Sequence, residues 1–296
     1  MSIHPTERPL ATYLARLLIL GALPLVLLAG WLAWDSVANR RADFEAQASS
    51  LARNYATTLD QMLRARIGAL QMIARSPALD ERSRWGDLYE TARAFQEHFG
   101  AHVVVATARA PGEMLMNTRV PLGQPLPPMP RPAGRSAAQA ALASGRPAVG
   151  DLFVGPVAKI PLVAIAVPAL RDGRPAYLVI ATLEAGTFTE RLGQVALPSG
   201  WAMSVLDGRG EVIARRAPPG FDAARDVDPS GRFAASSAQS DWSVTVEIPR
   251  TQMQRATLVA AVALGVGLIV ATLSGVLGVV RANRWLRRSL LTLVDP

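Results

Sequence analysis

Residues 162–183 read LVAIAVPALRDGRPAYLVIATL, and this stretch decides that the middle of the chain is a sheet. Its two ends, 162–169 and 176–183, are short, apolar and rich in β-branched residues, as strands are. Between them lies Arg171-Asp172-Gly173-Arg174. An Asp-Gly pair joining two apolar runs is a strong hairpin signal, because the favoured two-residue turn needs positive φ at both centres. Working outward to the N-terminal side, 149–154 (VGDLFV), 113–117 (EMLMN) and 101–106 (AHVVVA) also read as strands. Residues 120–135 hold six prolines and read as a polyproline-like surface loop. A small alanine-rich helix is expected at 136–144.

On the C-terminal side a connecting helix is expected at 184–195. A second hairpin follows: 201–206, the turn Asp207-Gly208-Arg209-Gly210, then 211–215. Residues 232–237 and 242–248 supply two more strands, and Pro249 ends the last. Gly, Pro and Asp fill 217–231. This second β region is about 50 residues, small for an independent core, so it is expected to pack on its neighbour or on the long helix.

Before the first strand, a short helix is expected at 85–98. From residue 36 the period is helical. Val37, Phe44, Leu51, Tyr55, Leu59, Met62, Leu70 and Ile73 recur mostly three, four and seven apart. No proline interrupts until Pro77, which ends the run. Such a helix is a rod of roughly 60 Å. It needs a partner along its apolar stripe, either its own domain or a second copy in a parallel dimer.

Two apolar runs flank all of this. Residues 256–280 carry no charged side chain and extend roughly 37 Å as a helix, more than the ~30 Å hydrocarbon core of a bilayer. Arg281, Arg284, Arg287 and Arg288 follow at once, which marks that side as cytoplasmic. Residues 17–34 are also free of charge and end in Trp31 and Trp34, aromatics suited to the interface. Pro24 is tolerable in mid-span. A signal peptide cleaved near Ser36-Val37-Ala38 is the alternative for this run, although its apolar region is long for one. Two spans place both termini in the cytoplasm and 36–250 outside it. Arg40-Arg41, Arg250 and Arg255 on the outer flanks weaken the charge rule without reversing it.

Composition narrows the chemistry. The formal charge is +8, almost all from arginine, with Lys159 as the single lysine. A nucleic-acid role would need a clustered basic face with interleaved aromatics, and the one tight cluster lies beside an apolar span. There is no cysteine, so disulfides, thiolate metal sites and cysteine nucleophiles are excluded. His98 and His102 have no Ser or Asp partner at a triad spacing and no third ligand for a metal. No G-x-S-x-G, P-loop or G-x-G-x-x-G occurs. Residues 281–296 hold no histidine, so no phosphoacceptor or catalytic domain is in view, and any kinase activity would belong to residues beyond Pro296.

Residues 197–201 (LPSGW) and 205–215 (VLDGRGEVIAR) carry a resemblance that other stretches extend in order. These are 113–119 (EMLMNTR), 144–147 (SGRP) with 149–155 (VGDLFVG), 165–170 (IAVPAL) and 240–249 (SDWSVTVEIP). The chain resembles a double Cache (PAS-like) sensor domain over 36–250 plus both spans. Such domains are the extracytoplasmic input of bacterial sensor histidine kinases, diguanylate cyclases and chemoreceptors. The closest likeness is to the input half of a sensor histidine kinase in a two-component system. The resemblance implies an α+β fold with two transmembrane helices flanking a long helix and a PAS-like mixed or antiparallel sheet domain. It divides the chain into a cytoplasmic start (1–16), a first span (17–35), a signalling helix (36–76), a membrane-distal Cache domain (77–184), an abbreviated membrane-proximal one (185–250), a second span (256–280) and a cytoplasmic stub (281–296). Two features depart from the family. The segment 217–240 is short, so the proximal subdomain is expected to lack a pocket. The family also continues past the second span, so the sequence reads as part of a longer receptor or as one without its output.

In the family the ligand lies on the concave face of the distal sheet beneath the proline-rich loop. The resemblance places Arg119, Asp151 and Tyr177 there, with Trp85, Tyr89 and Lys159 as further candidates. Arg119 would clamp a carboxylate, or serve as a strand-end ion-pair partner. Asp151 would accept from an amine, or be a turn residue. Tyr177 would offer an apolar wall with a hydroxyl, while Trp85 and Tyr89 are equally the core-facing side of a helix. Arg84-Trp85 and Tyr89 echo the amino-acid-binding signature of the family only loosely, so amino-acid binding is not implied. The expected partners are a small periplasmic ligand, the bilayer of the inner membrane and a second copy, with no nucleic acid, metal or cofactor. The alternative function is a non-catalytic membrane scaffold that binds a periplasmic protein.

Overall fold

The computed structural model describes residues 10–109 and 112–252, with scattered helical positions between 261 and 277; at 10–27, 29, 33 and 36–38 it describes the backbone alone. The chain forms two compact units, Glu45–Pro249 and Met1–Phe44 with Arg250–Pro296. In the second of these, Trp31, Trp34, Ile269 and Leu277 are exposed on helical backbone. Among the described residues, no helix is long and apolar enough to cross a membrane. The expected span at 256–280 lies largely outside the described residues. That at 17–35 falls in a helix whose side chains are mostly not described.

Helix α1 (Leu10–Arg75) is 66 residues long. Within Glu45–Pro249 its buried stripe is Ala48, Ala52, Ala56, Leu59, Leu63, Leu70 and Ile73, spaced by three, four or seven residues. Two charged residues, Asp60 and Arg66, lie in the same stripe and are 7% and 4% exposed. Buried charges at such positions need partners. The Asp60 carboxylate accepts from Ser237 Oγ, from Ala238 N at 2.9 Å and from Gln239 N at 3.3 Å. Arg66 donates to Phe99 O at 2.6 Å and to Met62 O at 3.2 Å, with Phe99 under its guanidinium. Burial, and then the nearby Arg191 charge, lower its pKa to about 10, so it stays charged at neutral pH. Beyond α1, Ser76 caps a 3-10 turn opened by Pro77. Arg171 closes the end of α1 by donating to Ala74 O and Ser76 O, both at 3.2 Å, and pairs with Asp80.

Helix α2 (Trp85–Phe99) ends at Gly100, whose φ of 64° lets its N–H reach back to Gln96 O. The first sheet follows: β1 (His102–Thr107), β2 (Met114–Asn117), β3 (Ala148–Val149), β4 (Phe153–Val154), β5 (Pro161–Arg171) and β6 (Arg174–Glu184). Its order is β2-β1-β6-β5-β3, with β4 also on β5, and every pairing is antiparallel. Asp172 and Gly173 have φ of 51° and 75°, as the Asp-Gly turn requires. Helix α3 (Ala137–Ser144), capped by Ser136, packs on one face. There Ala137 and Ala141 meet Val104, Ala106, Ala148, Ala166, Leu178 and Ile180. The residues of opposite parity, including Val103, Ile165, Val179 and Ala181, are buried as well. Strands covered on both faces read as continuous apolar runs, which is why 162–183 is apolar throughout.

The single strand expected at 149–154 is broken into β3 and β4. Gly150 keeps one bond to β5, its N–H donating to Ala164 O at 2.9 Å, but Asp151 and Leu152 leave the sheet because their backbone N–H groups bond elsewhere. Gly150 O accepts from Trp242 Nε1, Asp151 N donates to Arg135 O, and Leu152 N donates to Asp207.

Helix α4 (Ala185–Gly193) leads to the second sheet: β7 (Ala202–Leu206), β8 (Val212–Arg216), β9 (Arg232–Ser236) and β10 (Ser243–Glu247). Its order is β8-β7-β10-β9, again antiparallel throughout, and the short α5 (Ala223–Asp226) lies before β9. Trp242 is buried and stacks edge-on against Phe188 of α4, with ring centroids 5.7 Å apart. Glu247, buried on β10, pairs with both Arg215 and Arg232.

Candidate functional site

A pocket of about 630 Å³, its open mouth included, lies on the α3 face of the first sheet. Its floor is the even-numbered side of the strands: Val104 of β1, Met114 of β2, Leu162 and Ala164 of β5, Ile180 and Thr182 of β6. Strand periodicity puts these residues on one face. The roof is the proline-rich loop with Met129, Pro130 and Pro132, then the start of α3. Prolines have no N–H to give a ladder, so this segment stands off the sheet rather than joining it. Its tethers are the bridge between Glu113 and Pro128 and a long bond from Met129 N to Gly112 O at 3.4 Å. Residues 153–158 form the rim.

The polar groups of the lining are few and specific. Arg119 follows β2, held by a bond from its backbone N–H to Asn117 Oδ1 at 2.9 Å. Its side chain is 14% exposed, and its Nη2 donates to Glu184 Oε1 at 3.0 Å. Its Nε is buried with no hydrogen-bond partner. His102 sits close by, across from Thr182 in the β1–β6 register, with Nδ1 3.2 Å from Thr118 Oγ1. Burial and the Arg119 charge lower its pKa, against the opposing pull of Glu184 and Thr118.

Asp151 lines the pocket yet is 3% exposed. One oxygen accepts from Arg135 N at 2.6 Å, the other from Gly208 N at 3.0 Å. A glycine lies against each oxygen. A Cβ on Gly134 would lie 2.3 Å from Oδ2, and one on Gly208 would lie 3.0 Å from Oδ1. Asp151 therefore joins the pocket wall to the second sheet. Asp207 makes the reciprocal link, accepting from Leu152 N at 3.1 Å and from Arg209 and Glu211 of its own turn. Arg135, also in the lining, pairs with Asp241, and Trp242 Nε1 donates to Gly150 O at 3.1 Å.

Of the six candidates from the sequence, Arg119 and Asp151 line this pocket. Tyr177 does not: it has odd parity on β6 and so faces away from Ile180 and Thr182. Tyr89 donates to Val120 O at 3.0 Å and fixes the start of the proline-rich loop from outside the lining. Trp85 also lies outside it, donating to Leu79 O at 3.3 Å with Arg82 over its ring. Lys159 sits in the rim turn at φ 55°, its N–H on Gly155 O, and is not a lining residue. The sequence reading passed over Met114, Met129 and Thr182. Thr182 was findable as a polar residue of the same parity as Ile180 inside an apolar strand. Among the described residues, no group of three or more His, Cys, Asp or Glu is placed to hold a metal ion.

No protein-family model and no curated protein sequence matches the chain. Solved structures do match it. The ligand-binding domain of the Pseudomonas fluorescens chemoreceptor CtaA, in complex with L-isoleucine, aligns over 72% of this chain and 95% of that domain, with 12% identity and a TM-score of 0.52. The ligand-binding domain of the Pseudomonas aeruginosa amino-acid chemoreceptor PctB, in complex with L-Arg, aligns over 71% and 97%, with 15% identity and a TM-score of 0.52. The extracellular domain of the putative histidine kinase mmHK1S-Z2 aligns over 71% and 98%, with 12% identity and a TM-score of 0.50. At these identities the likeness is one of fold, and the fold is that of the double Cache sensor domains.

Proposed function

We propose that the chain is the membrane-anchored extracytoplasmic input module of a bacterial signal-transduction receptor, most simply a sensor histidine kinase. The observation that carries this reading is the pocket on the first sheet, apolar in floor and roof, with Arg119 in its wall. Its fold is shared with domains solved with L-isoleucine and L-Arg, which supports a small-molecule ligand here. In this reading 17–35 and 256–280 are membrane spans with both termini cytoplasmic. Residues 36–76 are the signalling helix, 77–184 the distal domain, 185–250 the proximal one, and 281–296 the cytoplasmic stub. Large apolar side chains exposed on helical backbone, such as Trp31, Trp34, Ile269 and Leu277, support burial in lipid.

A ligand in the pocket would touch Gly150, Asp151 and Arg135, the groups that also hold the second sheet. Asp60 of α1 grips that sheet at 237–239. The ligand acts by binding one arrangement of these parts more tightly than another, and the second span carries the difference inward. A pair of parallel α1 helices from two copies gives that shift a place to act. An open pocket weighs against the pure scaffold reading, which would be favoured by an apolar face without a cavity.

The test is a thermal-unfolding screen of the full chain in detergent against small metabolites. A ligand at 100 times its Kd raises stability by about 2.7 kcal/mol. Saturable stabilisation that Ala164→Phe abolishes by filling the floor supports the reading. If nothing in the panel stabilises the protein and Ala164→Phe leaves partner binding intact, the scaffold reading replaces it. Alkaline-phosphatase fusions check the topology: active when joined after 249, inactive when joined after 296.

A further inference from the structure

The pocket's charges are unequal in availability. Its lining contains two cations, Arg119 and Arg135, and one anion, Asp151. The anion is closed off: each carboxylate oxygen takes a backbone N–H, one from Arg135 and one from Gly208. Each is also packed so tightly by a glycine that even one added carbon would collide at Gly134 or crowd the oxygen at Gly208. An ammonium brings three donors and a charge that needs a neutralising anion, and Asp151, 3% exposed and bonded at both oxygens, leaves little room for them. Arg119 is the reverse case. It gives one bond to Glu184, and its buried Nε has no partner. A buried donor left unmatched is costly, and a carboxylate held along the edge of the guanidinium would match it with a charge-assisted bond. Asn117, Ser136 and Thr182 are uncharged polar side chains of the lining, and Val104, Met114, Met129, Leu162 and Ile180 make an apolar wall for an alkyl group.

We propose that this pocket takes a small carboxylate with an apolar body and no ammonium group, a branched or short-chain monocarboxylate rather than an α-amino acid. The inference rests on the sensory reading of the same pocket. The carboxylate lies on Arg119, in competition with Glu184, and the alkyl group lies under the proline-rich loop. Selection against amino acids follows from burying an ammonium that finds no available carboxylate to neutralise it.

Four probes of similar bulk separate the possibilities: 4-methylpentanoate, leucine, 4-methylpentanamide and 3-methylbutylamine. Calorimetric titration and thermal unfolding are run on the full chain in detergent. The expected order is the acid first, with leucine and the amide at least tenfold weaker and the amine without effect. Arg119→Gln should weaken the acid at least tenfold, while Arg119→Lys recovers part of the loss. Glu184→Gln should tighten it severalfold, because it removes the competing carboxylate; a merely structural role for the pair would not give that sign. Each unliganded variant is checked for an unchanged unfolding midpoint, and the opposite sign of Glu184→Gln keeps the test decisive if Arg119→Gln folds poorly. Leucine binding as tightly as the acid overturns this inference and leaves the sensory reading standing. Amide or amine binding better than the acid does the same. Silence from all four probes, with stabilisation by some other metabolite class, also overturns it.

Discussion

The two sheets of the Glu45–Pro249 unit use the same antiparallel pairing and the same small, buried residues, yet none of the residues lining the pocket belongs to the second sheet. The difference lies in what is inserted between strands. Between β2 and β5 the first sheet carries residues 118–160, including eight prolines, six of them in 120–135, and α3. A proline-rich segment cannot add a strand, so it arches over the floor and leaves a space. Between β8 and β9 the second sheet carries only 217–231. Its polar groups go instead to the seam with the first sheet and to α1, through Trp242, Asp207 and the loop at 237–239. One sheet is the floor of the pocket, and the other is tied to it along the seam. The two meet at Asp151.

This contrast breaks if the seam tolerates mutation as well as the pocket wall does. Trp242→Ala removes a fully buried ring and the donor to Gly150, and should cost about 3–5 kcal/mol in urea or thermal unfolding. A loss below about 1 kcal/mol would mean that the seam is not part of the core. Asp60→Ala should come next, at about 2–3 kcal/mol, since it removes the charged acceptor of three donors at 237–239. Asp151→Asn keeps the shape but sets an amide N–H₂ against a backbone N–H, for about 1–3 kcal/mol. Met129→Ala belongs to the open wall and should cost roughly 1 kcal/mol or less, because no closed cavity is created.

The smallest effect is a pH dependence at the polar end of the pocket. Burial and Arg119 depress the His102 pKa in the folded protein. As pH falls through the ordinary imidazole range near 6.5, the unfolded chain takes up its proton first. The stability from a neutral His102 is therefore full above that range and declines below it. In His102→Gln the unfolding midpoint should fall less between pH 7 and pH 5 than in the unaltered protein.

Much of the fold was legible locally. Short apolar runs rich in β-branched residues marked the strands, Asp172-Gly173 marked the hairpin, and Pro77 marked the end of the long helix, because these depend on neighbours a few residues apart. The site was legible only in part. Arg119 and Asp151 came from resemblance, whereas Tyr177 was assigned to the pocket face one residue out of phase. On strands buried on both sides, composition does not tell the two faces apart. The stripe of α1 was read from its large residues, so Ala48, Ala52 and Ala56 were missed, as were Asp60 and Arg66 among them.

By itself, then, the sequence determined most of the strands, turns and helices and their order, though not the break at 150–152 or the short α5. The tertiary structure alone decided which polar groups remain available. The bond from Gly208 to Asp151 spans 57 residues, and that from Ser237 to Asp60 spans 177. No local pattern specifies a partner at such distances. A carboxylate that reads as a ligand contact in the sequence becomes, once the chain closes on itself, the clasp between two sheets.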